Sequence, residues 1–357
     1  MTVPEIAAAL AGLSLDEAAP RGITGERAAR IRAGQIFAWI ARGASSFEEM
    51  TDLPQSLRAA LGETFSVRGS ETRDRLEDGD GTVKLILRLA DGCRIEAVAL
   101  NTSGGGGYTA CLSTQAGCPM GCVFCKTGAL GFRRGLEPSE IVEQFLALSG
   151  AVREKRRENA GPAAISRVVV MGMGEPLLNL PALRKALAIL QDPAGVGLSR
   201  RRITISTAGV YGGILEMAER GPGVELAFSL TAAREDLRRR LMPGAAAYPL
   251  DKIKEALKQY REKRGRRITL EAVLLGGINT GPEDARAFIA FAADLDAVVN
   301  LIPWNPVEGL RFEGNPLRRP RREETEAFQA LLEAGGLKVT RRFRRGQGIG
   351  GACGQLG

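Results

Sequence analysis

Gly117 to Gly128 reads G-C-P-M-G-C-V-F-C-K-T-G, and the reading of the whole 357-residue chain works outward from it. Cys118, Cys122 and Cys125 fall there at C-x3-C-x2-C spacing on a glycine-rich turn; elsewhere the chain has only Cys93, Cys111 and Cys353. Three thiolates within eight residues can converge on one metal centre, and thiolates favour zinc or iron–sulfur clusters. A closed structural zinc site wants a fourth ligand, and the chain has no histidine to complete a Cys3His set. Three cysteines on a [4Fe-4S] cluster instead leave one iron open. That iron can chelate the amino and carboxylate groups of S-adenosylmethionine (SAM). An electron delivered there cleaves the sulfonium and yields an adenosyl radical, chemistry that belongs to the cofactor and that the protein positions. A zinc turn, or three reduced core thiols, would use the same residues, and spacing alone leaves both open.

The totals narrow the class. The length suits one large domain plus a smaller one, and 44% hydrophobic residues support a full core. No run of 18 apolar residues occurs and the N-terminus lacks a charged-then-apolar leader, so no membrane span and a cytoplasmic location are expected. Clustered cysteines in a chain of this size suit a reducing compartment and metal ligation. The net charge is +8, much of it in arginine runs at 200–202, 238–240, 318–322 and 341–345. Such charge suits a polyanion, RNA first; a solvated basic face is the plainer alternative. Without histidine, proton transfer falls to a carboxylate, Lys, Tyr, Cys or water.

Residues 1–68 read as a helical module. Thr24 can cap a helix holding Ile36, Phe37, Trp39 and Ile40; Ser46-Phe47-Glu48-Glu49 is a capping-box pattern; Pro54 opens a helix with Leu57 and Leu61. Residues 69–103 read as a β-hairpin extension, with strands Thr82–Leu89 and Arg94–Leu100 around an Asp91-Gly92 turn. Alternation puts Glu96 on the face of Val98 and Leu100, where a raised pKa would suit a proton acceptor; a solvent-facing edge glutamate is the alternative. The run Gly104–Gly107 reads as a flexible joint opening the third part, 104–357.

From Thr109 strands and helices alternate. Strands are expected at Ala110–Ser113, Arg167–Met171, Ile203–Thr207, Val224–Leu230, Ile268–Leu275 and Val298–Pro303. Helices are expected from Pro138 to about Leu148, from Leu180 to Leu190, and at Ile214–Glu219, Ile253–Glu262 and Pro282–Leu295. A last helix, Glu323–Ala334, precedes a basic strand and a tail, 346–357; Arg153–Glu158 reads as an exposed helix end or loop. Six βα units imply an α/β fold with a parallel sheet, an open or partial (β/α)6 barrel, and functional groups at the C-terminal strand ends.

Motifs in order along the chain carry a resemblance. They are Q-I-F-A-W-I (35–40), F-E-E-M-T-D-L-P (47–54), G-D-G-T-V-K (79–84) and R-I-E-A-V (94–98). Then follow C-L-S-T-Q-A-G-C (111–118), V-M-G-M-G-E-P-L-L-N (170–179), R-R-I-T-I-S-T-A-G (201–209), N-L-I-P-W-N-P (300–306) and A-C-G-Q-L (352–356). Together they resemble the RlmN/Cfr family of radical-SAM RNA methyltransferases, its RlmN branch more closely, over nearly the whole chain.

The resemblance implies a radical-SAM barrel and methylation of an electron-poor adenine carbon, C2 in the RlmN branch and C8 in the Cfr branch. It implies 23S rRNA, and tRNA, as substrates, a [4Fe-4S] cluster on Cys118, Cys122 and Cys125, and two SAM per turnover. One SAM methylates Cys353; a second gives the radical that activates that methyl for addition to the base. Cys111 then resolves the protein–RNA adduct by a disulfide with Cys353, and Glu96 matches the proton acceptor. Gly174 and Glu175 would meet the SAM amino group, although the pair also suits an ordinary strand-to-helix turn. Ser206, the span Ser229-Leu230-Thr231 and Asn305 match the remaining SAM contacts. Cys93 matches no functional position. An electron donor such as flavodoxin and a monomeric state complete the expectation.

Departures accompany the match. Thr231 replaces a histidine in S-L-H-A, Gly244-Ala245 replaces I-N, and Gly135 replaces an asparagine. Gln347-Gly348-Ile349-Gly350-Gly351-Ala352-Cys353 replaces an acidic D-D-I-D-A-A-C, which makes the tail less anionic and more flexible. Three other readings follow: a C8 methyltransferase, a diverged radical-SAM paralogue with another substrate, and a non-catalytic RNA-binding protein with a zinc-filled cysteine site.

Overall fold

Apolar residues run through six short segments, Val, Ile and Leu most densely in the later ones, and these build the centre of the sheet, where a pleat buried on both faces favours them. The computed structural model describes residues 1–11, 25–102, 107–159, 165–342 and 344–357. A meander of β1 (Glu71–Glu77), β2 (Val83–Arg88) and β3 (Arg94–Asn101) leads to β4 (Tyr108–Cys111). A small hairpin follows, β5 (Gln115–Gly117) with β6 (Phe132–Gly135). Then come β7 (Ile165–Val170), β8 (Ile203–Thr207), β9 (Glu225–Ser229), β10 (Ile268–Leu274) and β11 (Ala297–Pro303). A two-residue pair, β12 (Arg311–Phe312) and β13 (Asn315–Pro316), and β14 (Lys338–Arg341) complete the strands. Among the described residues the main sheet runs β1-β2-β3-β4-β7-β8-β9-β10-β11-β14. Every pairing from β4 to β14 is parallel. The six expected parallel strands are therefore present in sequence order, and the basic strand adds a seventh.

Helices supply the crossovers. They are α5 (Pro138–Asn159), α6 (Leu180–Gln191), α7 (Tyr211–Arg220), α9 (Leu250–Arg264), α10 (Pro282–Ala292) and α11 (Arg322–Ala334). The short α4 (Lys126–Ala129) and α8 (Glu235–Leu241) lie in loops. In α6 the buried residues Leu180, Leu183, Leu187 and Leu190 recur at three and four positions, one stripe facing the sheet. The helix α5 runs well past Leu148 and absorbs the charged segment 153–158 that reads as its end.

The N-terminal module holds α1 (Val3–Ala11), α2 (Glu26–Arg42) and α3 (Gln55–Thr64). Thr24 lies outside the described residues; α2 begins after Gly25. The capping-box pattern at Ser46 caps no helix. Glu49 Oε1 accepts from the Ser45 N–H and hydroxyl and from the Ser46 N–H, which closes a turn instead. Pro54 does precede α3, with Leu57 and Leu61 buried. Strand β1 is exposed along its whole length, E-T-R-D-R-L-E, so no apolar alternation announces it; pairing with β2 creates it. The hairpin strands follow the sequence reading closely, and β3 pairs antiparallel with β4, Val98 opposite Cys111, so hydrogen bonding continues from the meander into the parallel sheet. Of the glycine run Gly104–Gly107, all but Gly107 lies outside the described residues.

Candidate active site

The cysteine loop is held by its own local chemistry. Gly117 turns with φ +81, and a Cβ there would lie 1.9 Å from the Gly131 carbonyl oxygen, so only glycine lets β5 and β6 close. Three ties then clamp the loop. Val123 N–H donates to Leu241 O (3.0 Å), Gly244 N–H to Met120 O (2.8 Å), and the Trp304 indole N–H to Phe124 O (2.8 Å). A Cβ at Gly244 would meet Met120 Cα at 2.5 Å, so the glycine that departs from M-P-I-N suits this close packing.

Cys118, Cys122 and Cys125 line one cavity of about 140 Å3. Burial pushes the Cys118 thiol up to about 12 and Cys122 well above its ordinary range, so each must lose a proton to take a metal. With no histidine in the chain to complete a zinc set, three thiols on one loop suit a [4Fe-4S] cluster that leaves one iron open.

The rest of that cavity comes from strand ends, as expected for the fold. Gly174 has φ +107, and a Cβ would stand 2.6 Å from the Gln115 Cβ, so glycine brings the turn after β7 against the start of β5. Glu175 is buried and burial raises its carboxyl pKa, opposed by three donors: the Thr207 hydroxyl at 2.6 Å, Ala208 N–H at 2.7 Å and Leu177 N–H at 3.1 Å. It braces two strand ends as well as lining the cavity. Ser206 and Ser229 hydroxyls sit 3.1 Å apart, and Ser206 donates to Glu271 Oε2 at 2.8 Å. Thr231 also lines the cavity, with φ +53 and a buried hydroxyl that has no hydrogen-bond partner. An orphaned hydroxyl and two carboxylates facing a cavity beside three thiols fit a polar, cationic group such as SAM. Leu230 faces the core and offers only its carbonyl, which accepts from Arg238.

Cys353 stands between this cavity and a second one of about 400 Å3. Met171, Ile302, Asn305 and Leu356 share the dividing wall with it. The second cavity contains Cys111, so the structure brings the two isolated thiols to one chamber, both as free cysteines. Cys353 keeps an exposed surface there, yet the walls around it take its sulfur out of bulk water. Desolvation pushes Cys111 up to about 11 and Cys353 to about 12, with the Arg342 guanidinium opposing the shift in both. Asn305 gives its amide to the tail, donating to Cys353 O (3.0 Å) and accepting from Gln347 (3.0 Å).

Glu96 is buried but lines neither cavity. Lys84 Nζ lies 3.2 Å from its Oε2 and the Gly357 N–H donates to the same oxygen at 3.1 Å. The face expected to be apolar thus carries a cation. Cys93 is buried in the core and lines neither cavity.

The arginine runs divide. Arg238 is fully buried, donates to the Ser229, Leu230 and Ala208 carbonyls, and lies 5.1 Å over Phe228. Burial lowers its pKa to about 10. Arg239, Arg240, Arg318 and Arg322 pair with Glu235, Glu313, Glu324 and Glu326. Arg167, Arg201, Arg202, Arg342, Arg344 and Arg345 instead line the cavity of Cys111. The reading of the sequence missed Glu271, Arg342 and Lys84. Glu271 signals itself as the lone carboxylate within the apolar strand I-T-L-E-A-V-L; it faces Arg342 at 3.6 Å. Arg342 hides in a run, and Lys84 is the lone cation inside the buried part of β2, V-K-L-I-L.

Known proteins agree with this geometry. Residues 112–291 match the Radical SAM superfamily, and residues 24–67 match the Ribosomal RNA large subunit methyltransferase N-terminal domain. The chain is 48% identical over 330 residues to the probable dual-specificity RNA methyltransferase RlmN of Treponema pallidum strain Nichols, covering 92% of each chain. It is 42% identical over 326 residues to a Thermus thermophilus protein of the same name, covering 91% of this chain and 88% of that one. A crystal structure of a radical SAM methyltransferase from Sphaerobacter thermophilus superposes with a TM-score of 0.88 at 35% identity, over 100% of this chain and 97% of that one.

Proposed function

Because the chain belongs to the RlmN family of radical-SAM RNA methyltransferases, which use a [4Fe-4S] cluster and SAM, we propose that it methylates C2 of adenine in 23S rRNA, and in tRNA as well, through methylated Cys353. The observation that carries this reading is the place of Cys353 in the wall shared by the two cavities, facing the cysteine loop on one side and Cys111 on the other. A residue that takes a methyl group from one ligand and presents it to another belongs there.

When bound, the cluster and SAM supply a methyl donor and, on reduction, a carbon-centred oxidant. The protein's own residues do the rest. Cys118, Cys122 and Cys125 hold the cluster. Gly174, Glu175, Ser206, Ser229, Thr231 and Asn305 orient SAM, with Glu271 beside them. Cys353 carries the methyl carbon to the base. Glu96 takes the displaced ring proton, and the Cys111 thiolate attacks the Cys353 sulfur: the S–S bond forms as the S–CH2 bond breaks, its electron pair passing to the carbon on the base, which takes up a proton as the product's methyl group.

Residues 1–68 serve as the RNA-binding accessory module, 69–103 as the extension carrying Glu96, and 104–357 as the catalytic barrel with its tail. Of the arginines, those at the rim of the Cys111 cavity contact RNA phosphates: Arg167, Arg201 and Arg202 have no ion pair among the described residues. The protein acts as a cytoplasmic monomer fed by a donor such as flavodoxin; among the described residues no helix is long and apolar enough to cross a membrane.

The test is an anaerobic assay of reconstituted protein with SAM, reductant and unmodified rRNA or tRNA, digested to nucleosides. We expect 2-methyladenosine, lost in Cys353→Ala while SAM cleavage persists. Only 8-methyladenosine would transfer the protein to the C8 chemistry. SAM cleavage without any methylated RNA would give it another substrate.

A further inference from the structure

The motif G-D-G-T-V-K (79–84) has no place in the chemistry above, yet the catalytic tail rests on it. Asp80 Oδ2 accepts from the Gly346 N–H at 3.0 Å, and its Oδ1 accepts from the Thr82 N–H at 2.8 Å. Burial alone would raise the Asp80 pKa, but these donors outweigh it and hold the carboxyl below its usual range. Asp78 Oδ2 accepts from the Gly348 N–H at 2.9 Å. Lys84 Nζ lies between the Gly350 carbonyl oxygen (3.3 Å) and Glu96 Oε2 (3.2 Å). The tail adds its own turn, Gly351 N–H to Gly346 O at 2.7 Å, and Cys353 follows two residues later, its carbonyl held by Asn305.

We propose that the turn from Asp78 to Lys84 is the seat of the catalytic tail, in which Asp78, Asp80 and Lys84 are positioning residues that hold Cys353 between the two cavities. This rests on the reading that Cys353 carries the methyl group. It also accounts for the chain's main departure. Where the resemblance leads one to expect aspartates, at residues 347, 348 and 350, this chain has Gln, Gly and Gly. A side chain at Gly348 would start 3.3 Å from Asp78 Oδ1, so an aspartate there would put two carboxylates together. This chain presents bare N–H groups to the hairpin carboxylates instead. The lost acidic pattern leaves a tail seated by another set of charges rather than a loosened one. Lys84 links that seat to Glu96, so one ammonium contacts both the proton acceptor and the tail at Gly350, three residues before Cys353.

The test is a charge cycle on the full-length protein. Gly348→Asp should speed hydrogen exchange across residues 346–351 and raise the rate of Cys353 alkylation by iodoacetamide, each by about tenfold, the loss of one hydrogen bond to a charged group. Adding Asp78→Asn should bring both back to within about threefold of the parent, because the new carboxylate then meets an amide. Asp80→Ala should loosen the tail in the same way, and Asp80→Asn, which keeps an acceptor, should do so less. In the loaded enzyme the same loosened variants should cleave more SAM per methylated nucleoside, an uncoupling that a general loss of stability would not produce. An unchanged tail in Gly348→Asp, or no recovery on adding Asp78→Asn, overturns the proposal. If the parent protein methylates no RNA while the exchange and alkylation responses hold, the assigned reaction falls and the seat stands.

Discussion

The two cavities that meet at Cys353 are built from opposite charges. On the cluster side the lining has Glu175 and Glu271, hydroxyls from Ser206, Thr207, Ser229 and Thr231, and no Lys or Arg. On the far side six arginines face one carboxylate, Glu225. The contrast follows the ligands. SAM carries a sulfonium and an ammonium against one carboxylate, whereas RNA brings phosphates. A single thiol on the boundary can serve both only if each ligand is steered to its own side, and Coulomb attraction in partly desolvated chambers does that.

The contrast can be broken first at Cys111. If the arginine side were open and wet, this thiol would titrate near its ordinary 9.0; burial pushes it to about 11. The thiolate is the reactive form, so at pH 8 its alkylation should run about 100-fold slower than that of an unperturbed thiol and keep rising tenfold per pH unit towards 11. A plateau near pH 9 would show that the chamber is not dry. On the cluster side, Glu271→Gln removes a carboxylate that accepts from Ser206 and faces Arg342. SAM affinity measured by calorimetry should fall about 30-fold, the loss of a charge-assisted contact, with RNA affinity unchanged.

On the arginine side, Arg201→Gln with Arg202→Gln should weaken RNA binding about tenfold near physiological salt. It should also flatten the log–log salt slope by about 1.4, two single-strand phosphate contacts at about 0.7 each. SAM affinity should not move. The smallest effect is expected from Arg239→Gln. Its side chain is engaged with Glu235 and lies outside the chamber, so RNA affinity should change less than twofold. An equal loss from Arg239 and from the Arg201 pair would mean that net charge, not the rim, recruits the RNA.

Legibility in the sequence tracked how local the cause was. The cysteine loop, the six strands and the strand-end residues Ser206, Ser229 and Asn305 were readable, because spacing, apolar runs and turn residues act within a few positions. Strand β1 was not, since its partner alone orders it. The capping-box pattern at Ser46 misled because Glu49 closes a turn with the same donors that would have opened a helix. The arginine runs read as one population and proved to be two, since carboxylates distant in sequence neutralise one set.

By itself the sequence determined the chemistry the chain can hold: three thiols at cluster spacing, two isolated cysteines, no histidine, and βα units that place loops at one end of a sheet. Only the tertiary structure decided which groups meet. Glu271 and Arg342 come from strand β10 and the end of β14, Lys84 reaches the tail across 266 positions, and Glu96 lies beneath Gly357. Covalent neighbours impose periodicity and turn geometry, which a linear reading recovers. Long-range electrostatic pairing depends on how the strands stack, and that is settled only when the whole sheet buries its faces.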